Sequence, residues 1–73
     1  MGNTSRLGQF LVNERRARGI SQDAAASNVG VSRPTWRAWE VEGVEPVKVA
    51  HLRKLARFLR LSFLELCGLL RQS

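Results

Sequence analysis

Residues 21–40 read SQDAAASNVGVSRPTWRAWE, and the fold is decided within this stretch. Ser21 and Ser32 are of a residue type that caps helix N-termini, and each precedes a run of helix-compatible residues. Gly30 lies between the two runs and accepts the positive φ with which helices often end. Pro34 falls in the first turn of the second run, where its missing N–H costs no hydrogen bond. The stretch therefore predicts two short helices joined by a tight turn.

The flanking sequence divides into three further helical segments. Gly19 ends the first segment, and the fourth carries apolar side chains at spacings of three and four residues, as a helix with one buried face does. Ser62 and Glu65 open the fifth segment with the spacing of a capping box. The predicted helices span residues 4–18, 21–28, 32–42, 47–60 and 62–70. Since no strand-like alternation occurs, the predicted fold class is all-α, a compact bundle of five short helices that forms a single domain over residues 1–73.

Composition restricts the function as well as the fold. With 73 residues the chain is long enough for one hydrophobic core, and 44% apolar with 25% charged residues are globular proportions. Twelve Lys and Arg against six Asp and Glu give a net charge of +6. This charge favours a polyanionic partner, although membrane surfaces and acidic proteins attract the same sign. Cys67 is single and no apolar run reaches the ~20 residues of a membrane helix, so we expect a cytoplasmic protein without disulfides or membrane contact.

Several short motifs in the chain occur together in one known family. These motifs are Arg18-Gly19-Ile20-Ser21-Gln22, Ala26, Val29-Gly30-Val31-Ser32, Thr35, Trp39-Glu40 and Pro46. With them, the sequence from Leu7 to about Leu70 resembles the phage Cro and repressor type of helix-turn-helix domain, also called the xenobiotic-response-element type. The resemblance implies a lambda repressor-like bundle that binds double-stranded DNA as a homodimer, in a prokaryote or a phage. It also implies a sequence-specific transcriptional repressor, which places its recognition helix, residues 32–42, in the major groove of a roughly palindromic operator.

The resemblance places the base-reading side chains on the outward face of the recognition helix, at Arg33, Pro34, Arg37 and Ala38. Arginine binds guanine O6 and N7 through two parallel hydrogen bonds, so the two arginines predict a half-site with two guanine contacts. Pro34 has no N–H to donate, and Ala38 offers only a methyl contact to thymine. The alternative is that both arginines are solvated or bind phosphate alone.

Candidates for phosphate binding surround this face. Gln22 begins a predicted helix, where its amide and the free backbone N–H groups suit a phosphate oxygen, and in the family it can also brace the first residue of the recognition helix. Ser32, Thr35 and Lys48 offer two hydroxyls and a cation near helix starts. The alternative for Gln22 is an ordinary exposed polar residue. Glu42, at the end of the recognition helix, would repel a phosphate group that it faced.

Two further expectations concern the core. In members of the family an arginine at position 15 and a glutamate at position 40 form a partly buried ion pair, so Arg15 and Glu40 are predicted to be structural. The family usually has Leu at position 25 and a branched aliphatic residue at position 36, whereas this chain has Ala25 and Trp36. A smaller residue opposite a larger one predicts an exchange that conserves core volume.

The Leu-rich C-terminal segment is more apolar than one buried side of so short a helix requires. We expect part of it to close the core and the surplus to form a homodimer interface, with Phe58 beside it. The predicted interface residues are Phe63, Leu66, Leu69 and Leu70. The alternative function is an antitoxin-like or other protein-interaction module, whose C-terminal helix binds a partner protein. Cys67 is expected to be a small buried hydrophobe.

The sequence offers no constellation for catalysis or metal binding. His51 has no Cys or second His nearby, and neither a nucleophile–base pair nor a glycine-rich phosphate loop is present. The prediction is therefore a protein that is not an enzyme and has no metal, no cofactor and no small-molecule substrate. The basic run from Arg53 to Arg60 is expected to be a solvated helix face, with a nucleic-acid contact as the alternative.

Overall fold

The computed structural model describes residues 5–71, which form five α-helices and no strand. The helices are α1 (Arg6–Arg18), α2 (Gln22–Val29), α3 (Arg33–Val41), α4 (Val49–Leu59) and α5 (Phe63–Arg71). None of these helices is long and apolar enough to cross a membrane. The predicted all-α class is confirmed. Apart from the start of α1, each predicted helix start and end lies within two residues of the observed one. The predicted start of α1 at residue 4 lies outside the described residues.

Serine hydroxyls cap four of the five described helices. The Oγ atoms of Ser5, Ser21 and Ser32 accept hydrogen bonds from the backbone N–H three residues later, at 3.0, 3.1 and 3.3 Å. Ser62 caps α5 in the same way, and Glu65 Oε1 accepts from the Ser62 N–H at 2.8 Å, which completes the predicted capping box. The hydrogen bonds from the Ser62 backbone and hydroxyl hold the pKa of Glu65 below its usual value. These local bonds satisfy backbone donors that the first helical turn leaves free.

Three helices end on a residue in the left-handed region of φ/ψ space. Gly19 and Gly30 have φ values of 66° and 79°, and Arg60 adopts the same conformation at φ 60°. After each of them the next N–H donates to a carbonyl five residues back, at 2.8 to 3.2 Å. The start of α4 has no side-chain cap, because its N-cap residue, Lys48, has an extended backbone and makes no capping hydrogen bond. This helix begins at Val49, two residues later than the start predicted directly after Pro46.

A single core joins the five helices. α1 packs against α3, α4 and α5, while α2 packs against α3 and α4. The buried apolar side chains are Leu7, Leu11, Ala25, Ala26, Val29, Trp36, Trp39, Leu55, Ala56, Phe58, Leu59, Leu66 and Leu69. The Trp36 ring centroid lies 5.3 Å from that of Phe58, edge to face, and 6.2 Å from that of Trp39. Ala25 and Trp36, the two positions that depart from the family pattern, are both fully buried.

Candidate nucleic-acid interface

α2 and α3 form the two-helix unit that residues 21–40 predicted. The chain turns at Gly30, the N–H of Val31 donates to the Ala26 carbonyl at 3.0 Å, and Ser32 then caps α3. A Cβ added at Gly30 would lie 3.1 Å from Lys54 Nζ, so a side chain there would be both strained in φ and crowded. The start of α3 is therefore fixed relative to the end of α2 by bonds within the turn itself.

The two faces of α3 differ sharply in burial. Trp36, Trp39 and Glu40 are between 0% and 3% exposed and point into the core. The opposite face carries the predicted base-reading residues, of which Arg33, Pro34 and Arg37 are exposed and Ala38 is half-buried. Val41 is exposed on the same helix. α3 thus presents a mostly polar face to solvent from a helix that is anchored firmly on its other side.

Four of the predicted DNA-binding residues line two adjoining depressions. Arg33, Pro34 and Arg37 line one of them together with Glu42. We call these four residues the recognition surface. Arg33 also lines a second depression, whose other residues come from α1 and the start of α2: Arg15, Ser21, Gln22 and Asp23. The structure therefore brings the start of α2 next to the outward face of α3, as a DNA-binding unit of this kind requires.

Each of the two arginines on the recognition surface has a carboxylate of the same chain beside it. Arg37 Nη1 donates to Glu42 Oε2 at 3.1 Å, and both side chains are 54% exposed. Arg33 Nε lies 3.9 Å from Asp23 Oδ1, too far for a hydrogen bond. Such exposed pairs are worth at most about 1 kcal/mol, so they orient side chains without locking them. Sequence reasoning missed both pairs, although the position of Glu42 five residues after Arg37 was visible.

A hydrogen-bonded carboxylate anchors α3 from inside. Glu40 is 2% exposed and accepts four hydrogen bonds: Arg15 Nε at 2.9 Å, Arg15 Nη2 at 3.1 Å, Gln22 Nε2 at 2.8 Å and Trp36 Nε1 at 2.8 Å. Arg15 Nη1 also donates to the Ile20 carbonyl at 3.2 Å. Burial by itself would raise the pKa of Glu40, but the hydrogen bonds from Arg15, Gln22 and Trp36 outweigh it, so this pKa lies below its usual value. α1, α2 and α3 are thereby joined at one ionised group.

The structure gives Gln22 a contact that was not predicted, and its contact with phosphate stays a prediction. Its amide does not brace the first residue of α3; it donates to Glu40, near the end of that helix. The Trp36 indole N–H shares the same carboxylate. Sequence reasoning predicted Arg15 as a partner of Glu40 but missed Gln22 and Trp36, although the spacing of four residues between Trp36 and Glu40 was available as a signal.

The other predicted phosphate-binding residues lie at helix starts. Ser32 Oγ caps α3 and lies 3.0 Å from Thr35 Oγ1, so the two hydroxyls form one small cluster at the start of α3. Ser32 is exposed and Thr35 half-buried. Lys48 is exposed at the start of α4. Their contact with phosphate stays a prediction.

The interface predicted on α5 is corrected by burial. Leu66 is fully buried and Leu69 is 8% exposed, because both close the core of their own protomer. Phe58 is also buried, against Trp36, with the Arg18 guanidinium 4.2 Å from its ring centroid, so it cannot flank an interface. Phe63 is 40% exposed and Leu70 half-buried. The most exposed apolar side chain of α5 is Leu64, at 82%, which the prediction did not include.

The basic run of α4, His51 and Cys67 are not part of the recognition surface. Lys54 and Arg57 of the basic run line a cleft on α4 with Arg18, Asn28 and Phe58. His51 packs its ring against that of Trp39, with centroids 5.6 Å apart. Cys67 is half-buried rather than buried. Among residues 5–71 no three His, Cys, Asp or Glu side chains are grouped so that they could hold a metal ion.

Comparison with known proteins agrees with this geometry. A family model described as a helix-turn-helix domain matches residues 6–71. The crystal structure of the restriction-modification controller protein C.AhdI from Aeromonas hydrophila is similar, with 32% sequence identity and a TM-score of 0.67. The match covers 86% of this chain and 94% of that one. No curated protein matches.

Proposed function

Because the chain belongs to the helix-turn-helix domain family and is a DNA-binding transcription regulator, we propose that it binds a specific operator as a homodimer and represses transcription from it. α3 enters the major groove, and the operator is roughly palindromic because two identical recognition helices read it. The protein acts in the cytoplasm of a prokaryote or a phage-infected cell.

The observation that carries this proposal is the two-sided character of α3. One face is held in the core by Trp36, Trp39 and the bonds to Glu40, while Arg33 and Arg37 stand exposed on the other. Two arginines one turn apart on an anchored helix can each bind a guanine through its O6 and N7 atoms in the major groove.

The likeness to C.AhdI supports a second, narrower proposal. That protein is a restriction-modification controller, and it matches this chain over 94% of its own length. We propose that this chain likewise controls the genes of a restriction-modification system. An operator selected in vitro should then occur upstream of such genes, and its absence there would remove this narrower proposal alone.

The homodimer is proposed to form at the exposed end of α5. Phe63 and Leu64 are exposed apolar neighbours there, on a chain whose net charge of +6 would otherwise disfavour self-association. Sedimentation of the wild type should show a dimer at micromolar concentration, and Leu64→Lys should shift it to monomer. The matched control is Val47→Lys, which adds the same charge at another exposed apolar site, 85% exposed. If both variants sediment as the wild type does, α5 is not the interface.

We also propose that the chain is not an enzyme. Among residues 5–70 the one buried charged side chain is Glu40, and its carboxylate oxygens are occupied by four hydrogen bonds rather than presented to a substrate. The protein thus acts by binding alone, without a cofactor or a small-molecule substrate.

The test of the main proposal is selection of bound duplexes from random DNA, followed by affinity measurements over a range of salt. We expect one enriched, roughly palindromic sequence and an affinity that falls steeply as salt rises, because phosphate contacts release counterions. An antitoxin-like module that binds only protein would enrich no sequence and would bind its partner with little dependence on salt. That outcome would overturn the proposal.

A further inference from the structure

The hydrogen bond between Arg37 and Glu42 leaves most of the guanidinium free. Arginine has five N–H donors, and this bond, 3.1 Å long, uses one of them, at Nη1. The edge formed by Nε and Nη2 makes no hydrogen bond within residues 5–70, whose side chains the structure describes. Guanine O6 and N7 need two parallel donors from one edge. Arg37 can therefore bind guanine without leaving Glu42.

Glu42 is itself held in place by the backbone. It is the C-cap residue that follows Val41 at the end of α3, with φ −95° and ψ 0°, and its N–H donates to the Ala38 carbonyl at 3.1 Å. The Val44 N–H donates to the same carbonyl at 3.2 Å, which fixes the chain on the far side of Gly43. The carboxylate thus extends from an anchored position, so it can restrict the long side chain of Arg37.

We propose that Glu42 is a positioning residue that makes Arg37 specific for guanine, an inference that rests on the proposed function. It holds the guanidinium over the recognition surface, which lowers the conformational entropy that Arg37 loses on binding a base. Its negative charge also disfavours the approach of Arg37 to a phosphate, because the carboxylate repels the charged phosphate more than the neutral edge of guanine. The pair therefore raises the ratio of operator binding to non-specific binding.

The neighbouring pair provides a useful contrast. Arg33 and Asp23 are 3.9 Å apart and 62% and 70% exposed, with no hydrogen bond between them. This pair therefore brings opposite charges together without a hydrogen bond that would hold Arg33 in one position. Glu45 provides the matched control for Glu42, because it is an exposed carboxylate in the same connection and has no hydrogen bond or ion pair within the described part of the chain. Glu42→Gln and Glu45→Gln change the net charge equally.

The experiment measures the affinity of the wild type, Glu42→Gln and Glu45→Gln for the selected operator and for a random duplex, by fluorescence anisotropy at fixed salt. We expect Glu42→Gln to lower the ratio of the two affinities about fivefold, the most that an exposed pair worth about 1 kcal/mol can contribute. Glu45→Gln should change both affinities by a similar factor and leave the ratio within about twofold. Thermal unfolding checks that both variants remain folded, as expected for exposed side chains.

A double-mutant cycle with Arg37→Ala separates positioning from charge. In that background Glu42→Gln should no longer change the ratio, because the side chain that it positions is gone. The inference is overturned if Glu42→Gln behaves as Glu45→Gln does, or if its effect persists without Arg37. A wild type that shows no sequence preference at all would instead overturn the proposed function, and this inference with it.

Discussion

Replacement of Glu40 by alanine tests how the recognition helix is held. The side chain is 2% exposed and accepts four hydrogen bonds, so its removal leaves Arg15, Gln22 and the Trp36 indole N–H without their common acceptor. Removing one partner of a buried ion pair costs roughly 3–5 kcal/mol. Arg15 is 17% exposed and keeps the Ile20 carbonyl, so water and this bond recover part of its loss. The buried indole N–H cannot reach water as easily and adds about 1–3 kcal/mol.

We therefore expect Glu40→Ala to lower the free energy of unfolding by about 4 kcal/mol. A domain of this length has about 4–11 kcal/mol in total, so the variant is marginally folded or unfolded at 25 °C. Urea denaturation followed by tryptophan fluorescence measures the loss, with circular dichroism as the second probe. Thermal denaturation covers the case in which the variant starts partly unfolded.

Two variants make this measurement specific. Glu40→Gln keeps the volume and an acceptor for Trp36 but removes the charge, and we expect it to lose roughly half as much. Glu42→Ala removes an exposed carboxylate that also pairs with an arginine, and it should cost less than about 1 kcal/mol. A Glu40→Ala protein within 1 kcal/mol of the wild type would show that the network does not hold α3 and would refute this reasoning.

Three further predictions concern stability. The pKa of Glu40 is lowered in the folded protein, so its contribution to the free energy of unfolding is present above the usual pKa of 4.5 and is lost as the pH falls through the folded pKa. Unfolding free energies measured from pH 7 to pH 2 should show this decline, and Glu40→Gln should remove it. Glu65→Gln should remove only the part of the decline that comes from Glu65, whose pKa is also lowered. Arg60→Gly should raise the free energy of unfolding by about 0.5–1 kcal/mol, because it relieves a side chain at φ 60°; a lower melting temperature would contradict this. Trp36→Ile should lower the free energy of unfolding by about 2–4 kcal/mol, and adding Ala25→Leu should restore part of this loss if the two side chains fill the same part of the core. Unchanged stability of the single variant, or no recovery in the double variant, would exclude a compensation of core volume between the two positions.

The helix ends could be predicted because their signals are local. Ser21, Ser32 and Ser62 cap helices through bonds that span three residues, and Gly30 ends one through its own φ. Such signals are complete within a short window of sequence. Where no side-chain cap exists, as at Lys48, the sequence offers no such signal, and the start of α4 was predicted two residues too early.

The packing of α5 could not be predicted from its composition. Phe63, Leu64, Leu66 and Leu69 are all apolar, so the sequence did not distinguish the buried side of the helix from the exposed one. The rotation of α5 against α1 and α4 decides that Leu66 is buried and Leu64 exposed. Phe58 was misjudged for the same reason, since its burial depends on the tertiary contact with Trp36.

The sequence predicted which residues of the candidate site face outward, but it did not predict the hydrogen bonds that Gln22 and Arg37 make to other side chains. The outward positions of Arg33 and Arg37 follow from the helical period once Trp36 and Glu40 are placed inside. The bond from Gln22 to Glu40 joins two helices, and the bond from Arg37 to Glu42 depends on side-chain rotamers at a helix end. Neither kind of contact is encoded by spacing along the chain.

The measurement that tests the account most directly is the affinity of Arg37→Ala for the selected operator with each base pair substituted in turn. If Arg37 reads a guanine, the variant loses its preference at one base pair of each half-site, where the wild type discriminates by about 1–3 kcal/mol, and keeps its preferences elsewhere. An equal loss of affinity on every sequence would show that Arg37 binds phosphate, and would contradict the assignment of the exposed face of α3 as the base-reading surface.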